Sequence, residues 1–526
     1  MLHATHVHAR ASEYRAPGGP WDVPTLDELL TTAARDAGHR TLVVDDTRAV
    51  SGSELVDLVA RLAGGMARLG VGPGDAVAWQ IENSVDAVLL WRACWRLGAI
   101  GVPIHHHAGP GDARAAIDRV GPAAVFGHAG SALLEWLGAI EVGTESWHAL
   151  FADDPHDAPW TERTALAAVL FTSGSTGSPK GVLHSHETLA TKALQMRTVH
   201  GLGADDAVLM PAPLAHVSGL LNGVTLPGAA ALRAVLMARW DADRALDLIA
   251  QWGVSFMVGP PTFFISLLDS ARFTAESVRS LRLVSSGGAG VSESFVDDAS
   301  RRLDAVVKRT YGSTEAPTVA TSRPADPAHA ARRHDGRAIG AVELRIADPG
   351  SGADLPAGSV GELVVRGPEV CCGYLDPDDT AAAFDADGWF HTGDLATLDD
   401  DGWLTIVGRG ADVIIRGGEN ISAREVESHL EAHPAVREAV AVGAPDRRLG
   451  ERVCAFVVTV DPTFDVAACG EWFAERGVAK FKVPERVVVL DSLPLLPTGK
   501  PDRAALRDRA GRLAAEGDRP PPPARP

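Results

Sequence analysis

Short apolar runs rich in β-branched residues alternate with alanine-rich helical stretches over much of the chain. The first of them predict a strand at 41–44, a helix at 53–69, a strand at 76–80 and a helix at 85–97. Such alternation is typical of α/β folds with largely parallel sheets. A loop bearing Gly, Pro or Ser follows each later strand, which is where open α/β sheets bind ligands. Those later strands are predicted at 168–171, 207–210, 256–258, 281–285 and 306–310.

The pattern then changes to short strands and tight turns. Strands are predicted at 361–366 and 403–407, each bounded by Gly, Pro or Asp. Spacing of this kind indicates a small antiparallel or barrel-like unit.

A further α/β segment begins with a strand predicted at 413–416. Ser422 and Glu425 have the spacing of a capping box and predict the start of a helix. The glycines on either side of Arg409 suit a hinge, so we predict a domain boundary near Gly410. The predicted domains are a large N-terminal domain of doubly wound sheets with the barrel-like unit (1–410), a smaller mobile C-terminal α+β domain (411–515) and a disordered proline-rich tail (516–526).

Composition excludes several classes of function. The chain has 49 Lys and Arg against 68 Asp and Glu, so it lacks the excess of basic residues on which nucleic-acid binding depends. No run approaches the ~18 apolar residues of a membrane span, so no integral membrane association is expected. The five cysteines have neither disulfide nor metal-ligand spacing, which indicates a reducing compartment and predicts a cytoplasmic protein.

The stretch LFTSGSTGSPKG at 170–181 follows a predicted buried strand and combines five hydroxyl side chains, three glycines and one lysine. Such a loop can turn amides, hydroxyls and a cation together toward a polyphosphate. Its spacing is not that of a Walker loop, which disfavours a P-loop kinase or GTPase. The candidate phosphate-binding residues are Thr172, Ser173, Gly174, Ser175, Thr176, Gly177 and Lys180.

Seven segments resemble, in order, the core motifs of the adenylate-forming superfamily, which includes acyl-CoA synthetases, peptide-synthetase adenylation domains and luciferases. They are the loop just described, PLAHVSG at 213–219, SGGA at 286–289, YGSTE at 311–315, TGD at 392–394, GR at 408–409 and PTGK at 497–500. The chain is most similar to CoA ligases of medium-chain, alicyclic or aryl acids. The resemblance implies ATP, Mg²⁺ and coenzyme A as cofactors and a small carboxylic acid as substrate.

Several nucleotide-binding residues are implied by the resemblance. Family members place the tyrosine equivalent to Tyr311 against adenine, and an aromatic face beside a glycine suits a purine. Glu315 is a hard oxygen ligand of the type that Mg²⁺ prefers, and Thr314 can donate to a phosphate oxygen. Asp394 resembles the carboxylate that accepts both ribose hydroxyls, and Arg409 resembles its neighbour at the nucleotide. The other predicted nucleotide- and CoA-binding residues are Gly287, Gly288, Ala289, Gly312, Ser313, Gly417 and Gly418.

In this family the lysine equivalent to Lys500 touches the substrate carboxylate and the α-phosphate, which predicts charge stabilisation as pyrophosphate leaves. The resemblance implies two half-reactions, formation of an acyl-adenylate and attack on it by a thiol. Between them the C-terminal domain is expected to reorient about residues 409–412. Ala411 departs from the charged residue usual at this hinge. We expect the reorientation to persist because Gly410 can absorb the backbone change.

His216 lies where the family places an aromatic side chain beside the acyl pocket. Together with Lys500, Glu315 and Thr314 it completes the set of candidate catalytic residues. The segment 215–217 lacks the Asp with which a peptide-synthetase domain would hold an α-ammonium group. An uncharged acid, whether aliphatic, alicyclic or aryl, is therefore favoured.

Three alternatives stay open on the sequence. The acyl group could pass to a carrier protein in trans, because only a charged helix and the proline tail follow Lys500. A luciferase-like oxidoreductase would oxidise its adenylate with oxygen. A non-catalytic nucleotide binder is disfavoured because Lys180, Thr314, Glu315, Asp394, Arg409 and Lys500 are all present.

Overall fold

The structure is a computed structural model, and it describes residues 2–106, 108–136, 138–152, 154–172, 180–288, 290–409, 412–416, 419–446, 449–476, 478, 480–496 and 499–517. The helices are α1 Ala11–Tyr14, α2 Leu26–Ala37, α3 Gly52–Arg68, α4 Val85–Leu97, α5 Pro110–Val120, α6 Glu145–Ala149, α7 His186–His200, α8 Val217–Leu220, α9 Leu226–Ala230, α10 Ala242–Trp252, α11 Pro261–Asp269, α12 Glu293–Leu303, α13 Ala328–Arg333, α14 Pro377–Ala383, α15 Ala423–Glu431, α16 Val466–Glu475 and α17 Arg503–Gly517. The strands are β1 Thr41–Val44, β2 Ala49–Ser51, β3 Ala76–Gln80, β4 Ile100–Pro103, β5 Ala124–Gly127, β6 Ile140–Glu141, β7 Leu166–Thr172, β8 Lys180–Ser185, β9 Ala207–Met210, β10 Arg233–Leu236, β11 Phe256–Gly259, β12 Leu283–Gly287, β13 Val306–Tyr311, β14 Ala320–Thr321, β15 Arg337–Ala338, β16 Glu343–Ala347, β17 Gly361–Arg366, β18 Phe390–Leu398, β19 Leu404–Arg409, β20 Val413–Arg416, β21 Glu419–Ser422, β22 Val436–Asp446, β23 Gly450–Thr459 and β24 Arg486–Leu490.

Two large sheets form the N-terminal part of the protein. The first has nine strands in the order β15-β14-β13-β12-β11-β9-β10-β1-β2, parallel from β13 to β1 and antiparallel at both edges. The second has six strands in the order β6-β5-β3-β4-β7-β8, parallel from β6 to β7 and antiparallel between β7 and β8. The predicted α/β class with doubly wound sheets is confirmed, since helices alternate with the parallel strands of both sheets.

The largest hydrophobic core lies between these sheets and is filled by α2, α3, α4 and α7. Helix α4 begins after Ser84, whose hydroxyl accepts from Ala87 N, and ends at Gly98 with φ 66°. Trp91 and Trp95, one turn apart on α4, are both fully buried. Twelve of the 13 residues of α4 are buried, among them Arg96, which pairs with the buried Asp27. The predicted helix at 85–97 is confirmed in this core.

Strands β12 and β13 run side by side, with Gly287 opposite Thr310 near their carboxyl ends. The strand predicted at 281–285 begins two residues later, because Leu281 N donates to Val278 O and belongs to the preceding turn. This shift places Gly287, rather than Ser285, at the edge where ligands of open α/β sheets bind.

Two smaller sheets complete the protein. Strands β16-β17-β18-β19 form a four-stranded antiparallel meander with β16 and β19 at its edges. The antiparallel arrangement is as predicted, but the unit is not barrel-like, because β16 and β19 do not pair with each other in the described sheet. The C-terminal sheet has the order β21-β20-β23-β22, with β24 parallel to β23 and helices α15, α16 and α17 packed around it. A large N-terminal part and a smaller C-terminal part are thus confirmed, while the exact domain bounds stay a prediction.

The predicted capping box of α15 is only half formed. Ser422 Oγ accepts from Glu425 N at 3.2 Å, as predicted. The Glu425 carboxylate does not return to Ser422 N but accepts from Lys482 Nζ at 2.5 Å. A charged donor on a neighbouring segment competes successfully for the carboxylate, because a charge-assisted hydrogen bond is stronger than one to a neutral amide.

The five cysteines are all buried and unpaired. This agrees with their spacing, which predicts no disulfide framework. Within the described ranges, no helix combines the length and the apolar character needed to cross a bilayer.

Buried histidines predict a loss of stability in acid. Burial lowers the pKa of His186 to about 3 and that of His184 to about 4, and neither ring nitrogen of His186 has a hydrogen-bond partner among the described residues. Because the unfolded chain takes up protons below about pH 6.5 and the folded chain does not, stability should fall as the pH drops from about 6.5 toward 4, by up to ~1.4 kcal/mol per pH unit for each such histidine.

Thermal melts between pH 7.5 and 5 measure this effect. The H186L variant should show a shallower decrease of Tm with pH than the wild type, and the matched H3L change at an exposed position should leave the slope unaltered. Equal slopes for the wild type and H186L would rule out His186 as a contributor.

Candidate active site

A tyrosine and an aspartate from different sheets meet at the carboxyl end of β13. Tyr311 is the last residue of β13, and its Oη donates to Asp394 Oδ2 in β18 at 2.5 Å. Asp394 is 5% exposed and lies opposite Arg409 in the β18–β19 ladder. The Arg409 side chain lies outside the described residues, but its backbone is adjacent to Asp394. The structure therefore brings together the three residues predicted to bind the adenosine part of a nucleotide.

The turn that follows β13 is tightly packed. A Cβ on Gly312 would lie 2.1 Å from Thr318 N, so only glycine fits at this position. Ser313 Oγ accepts from the backbone N–H three residues further on at 3.1 Å, which closes the turn. Thr314 is buried, and its carbonyl is 2.8 Å from Nε2 of the buried His184. These contacts fix the backbone from which Thr314 projects.

Lys180 begins β8, opposite Thr172 at the end of β7. Its ammonium lies 2.9 Å from Asp379 Oδ1 and 5.2 Å from the ring centre of Tyr374. The Tyr374 hydroxyl in turn donates to Glu315 Oε1 at 2.8 Å. The lysine predicted to face phosphate and the glutamate predicted to face the metal are thus joined through one aromatic side chain.

Glu315 is the candidate metal ligand of this group, and its carboxylate is half-buried. In the part of the chain that the structure describes, no group of three or more His, Cys, Asp or Glu side chains is arranged to hold a metal. Mg²⁺ usually binds through one or two carboxylates together with substrate phosphates. A single carboxylate close to the phosphate-loop lysine therefore fits Mg²⁺ carried by a nucleotide.

Lys500 belongs to the C-terminal part of the chain but lies against the large N-terminal part. Gly499 O accepts from Thr262 Oγ1 of α11 at 2.7 Å, which docks the loop. A Cβ on Gly288 would lie 2.9 Å from Lys500 Cε and 3.2 Å from its Nζ. The ammonium therefore lies on the turn that follows β12, beside the carboxyl ends of the central strands.

His216 is close to this lysine. It is the N-cap of α8, where its Nδ1 accepts from Ser218 N at 3.3 Å. Burial and, to a smaller extent, the positive charge of Lys500 lower the pKa of His216 to about 3. The imidazole is therefore neutral at pH 7, which suits a wall of the site better than a proton donor.

A second cation of the C-terminal part packs on the same turn. The guanidinium of Arg424 occupies the space beside Gly290, where a Cβ would lie 2.3 Å from Arg424 Cζ. Glu427 and Glu431 of the same helix pair with this guanidinium. The contact therefore joins α15 to the loop that Lys500 touches.

Part of the predicted site lies outside the described residues. These positions are Ser173, Gly174, Ser175, Thr176 and Gly177 of the phosphate loop, Ala289, Gly417 and Gly418, and the hinge positions Gly410 and Ala411. Their assignments stay predictions. Gly287 is described, and its Cβ would lie 2.3 Å from Thr310 O, so a side chain would separate β12 from β13.

Four residues of the site were not predicted from the sequence, namely Tyr374, Asp379, Thr262 and Arg424. Each acts through a contact with a residue that is distant in sequence, such as the Tyr374–Glu315 hydrogen bond. Tyr374 has one local signal, an aromatic residue after Gly373 in a turn of buried cysteines. The other three look like ordinary surface or helix residues in the sequence.

Comparison with known proteins defines the class to which this fold and site belong. Residues 30–375 match the AMP-binding enzyme family, and residues 425–500 match the AMP-binding enzyme C-terminal domain. The chain belongs to the AMP-binding enzyme family, and the resemblance to the adenylate-forming superfamily is confirmed.

Individual relatives cover nearly the whole chain. The medium-chain fatty-acid–CoA ligase of Escherichia coli K12 is 32% identical over 96% of this chain and 93% of its own length. The indoleacetate–CoA ligase of Aromatoleum aromaticum is 33% identical over 92% of this chain and 98% of its own. The crystal structure of ATP-bound MatB from Rhodopseudomonas palustris has a TM-score of 0.85 and 29% identity, covering 93% of this chain and 99% of that one.

Proposed function

We propose that the protein is an AMP-forming, ATP-dependent carboxylate:CoA ligase acting on an apolar acid. In the first step a carboxylate oxygen attacks the α-phosphorus of ATP, forming acyl-AMP and releasing pyrophosphate. In the second step the CoA thiol loses its proton to solvent or base and attacks the acyl carbon, forming the thioester and releasing AMP. No covalent bond to the protein is needed, so catalysis depends on positioning and charge.

The placement of Lys500 is the observation that carries this proposal. Its ammonium lies on the Gly288 turn, next to the neutral His216 and close to the strand ends that carry the nucleotide residues. A cation at this position would stabilise the charge that develops when a carboxylate attacks phosphorus. A protein that only bound nucleotide would not require an ammonium from a separate part of the chain.

The nucleotide would be held by two groups of side chains. Tyr311 and Asp394, which are hydrogen-bonded to each other, would contact the base and the ribose, and the hydroxyl of Thr314 would donate to a phosphate oxygen. Lys180 and Glu315 would face the triphosphate, and Glu315 would hold the Mg²⁺ that neutralises phosphate charge. The ion pair between Lys180 and Asp379 would have to break when a triphosphate binds, because the Asp379 carboxylate and the triphosphate are anions that compete for one ammonium.

The acyl site would accept an uncharged acid. The segment 213–226 contains no Asp, Glu, Lys or Arg, and Val217, Leu220 and Leu221 within it are buried. An apolar wall without a carboxylate cannot compensate an α-ammonium group. The names of the medium-chain and indoleacetate ligases support the same class of acid, aliphatic or aryl. We place the reaction in the cytoplasm, which the five free thiols support.

Mass spectrometry of the purified protein with ATP, Mg²⁺ and pools of aliphatic, alicyclic and aryl acids tests the proposal, with and without CoA. Acyl-CoA formed only with CoA, together with AMP, is the expected result. Acyl-adenylate that accumulates in both reactions without thioester would instead indicate a carrier protein as acceptor, or oxidation of the adenylate if oxygen is consumed. Absence of adenylate from every pool would contradict the ligase function.

The Tyr374 hydroxyl should strengthen metal binding, because it orients Glu315 through a hydrogen bond to a charged group. We expect Y374F to weaken Mn²⁺ binding to the ATP complex about tenfold, as measured by electron paramagnetic resonance, and to raise the Mg²⁺ requirement of the reaction in parallel. Y14F is the matched control, because the buried Tyr14 hydroxyl has no hydrogen-bond partner in the described structure. Equal metal affinity for both variants would show that Tyr374 does not orient the ligand.

A further inference from the structure

Lys192 and Glu369 form a buried ion pair that has no part in the mechanism proposed above. Lys192 Nζ donates to Glu369 Oε1 at 2.8 Å, and both side chains are 0% exposed. Glu369 Oε2 has no hydrogen-bond partner among the described residues. Removing two charges from water costs several kcal/mol per ion, and apolar replacements of such a pair are often neutral or stabilising. Stability alone is therefore a poor explanation for this pair.

The ammonium makes a second contact, with the turn that carries the site. Lys192 Nζ also donates to Thr318 O at 2.9 Å. Thr318 has φ 41°, a left-handed conformation that is strained for a β-branched residue. Such conformations persist where the surroundings impose them. The backbone of Thr318 is also the surface against which Gly312 packs, next to Tyr311.

The carboxylate side of the pair leads to the same site by another route. Glu369 lies two residues before Cys371, whose N–H donates to Glu315 O at 2.7 Å. The same segment then supplies Tyr374, which holds the Glu315 side chain. Lys192 itself is in α7, the helix that directly follows the strand begun by Lys180. The pair thus touches three segments that carry the nucleotide and metal residues.

We propose that Lys192 and Glu369 are positioning residues for adenylation, which tie α7, the 311–318 turn and the 366–374 segment together. This connection holds Tyr311 and Glu315 at fixed positions relative to Lys180. The inference rests on the proposed ligase function for its kinetic consequence, but its structural content can be measured in the ligand-free protein.

The double variant K192M/E369M tests the tie, because it removes both charges at similar volume and leaves no buried ion unpaired. Its Tm should stay within a few degrees of the wild type. Amide hydrogen exchange in residues 312–318 of the ligand-free protein should become at least about tenfold faster. The kcat of ATP-dependent adenylation should fall about 10²-fold, the size of effect expected when a catalytic group is misplaced by about 1 Å, with a smaller change in the KM for the acid.

K308M is the matched control. Lys308 is also buried and donates to a backbone carbonyl, Ser322 O at 2.8 Å, but among the described residues its ammonium makes no hydrogen bond to the 311–318 turn. Amide hydrogen exchange in residues 312–318 of K308M should equal that of the wild type. If K192M/E369M does not fold, K192M/E369Q replaces it with the same expected readouts.

If K192M/E369M showed unchanged amide exchange in residues 312–318 and an unchanged kcat, the inference would be overturned, and the pair would have only a structural role in the core. Faster exchange in a protein whose wild type adenylates no acid would support the tie and contradict the proposed ligase. The two proposals can therefore fail separately.

Discussion

Replacing Lys500 by alanine is expected to lower the rate of acyl-adenylate formation about 10²- to 10³-fold, while ATP binding largely survives. The reason is that the ammonium on the Gly288 turn would act on charge that develops in the transition state, whereas Tyr311, Asp394 and Lys180, in the roles proposed above, would contact the nucleotide already in the ground state. Pyrophosphate exchange measures the first quantity, and calorimetric titration with ATP measures the second.

The control for this variant is K480A, at an exposed lysine in the same C-terminal part of the chain. It should leave both quantities unchanged. Wild-type turnover by K500A would remove Lys500 from the mechanism. A parallel loss of ATP binding would show that the lysine acts on the ground state instead.

Replacing Glu315 by glutamine is expected to lower adenylate formation about 10²-fold, because the variant loses the carboxylate that we propose as a hard ligand for Mg²⁺ while the side chain keeps its shape. The glutamine oxygen can still accept from Tyr374, so the surrounding turn should remain intact. The dependence on Mg²⁺ concentration separates loss of metal binding from disruption of the turn, since raised Mg²⁺ should recover part of the activity only if metal binding is what was lost.

Mn²⁺ binding to the ATP complex gives a readout independent of turnover, and it should weaken in E315Q more than in Y374F. E82Q is the control, because Glu82 pairs with the exposed Arg239 far along the chain from the nucleotide residues. Unaltered metal affinity in E315Q would refute Glu315 as the ligand.

Much of the α/β core could be predicted from short apolar runs bounded by turn residues, as in β1, β3 and β9. Strand β4 could not, because Gly101 and Pro103 interrupt its apolar pattern. The structure explains the glycine, since a Cβ on Gly101 would lie 2.4 Å from the ring of Trp91. The large side chain of Trp91 on a neighbouring helix thus requires a glycine at position 101, although the local sequence pattern alone would predict that this glycine breaks the strand.

The candidate site shows the same division between local and distant information. Tyr311, Glu315, Asp394 and Lys500 stand in motifs that can be recognised in the sequence. The contact between Lys180 and Asp379 joins residues almost two hundred positions apart and depends on how the meander packs on the six-stranded sheet. Such partners have no signal in the local sequence, because burial and register decide them.

The docking of Gly499 on Thr262 has a consequence for how the reaction is timed. A lysine delivered on a separate part of the same chain behaves like a tethered reagent, present at millimolar effective concentration without being a permanent part of the nucleotide pocket. Its attachment replaces the entropy cost of recruiting a cation from solution. If Lys500 acts as proposed, the chemical step would depend on an intramolecular docking equilibrium, and substitutions at Thr262 would change the rate of catalysis without altering any group proposed to touch ATP.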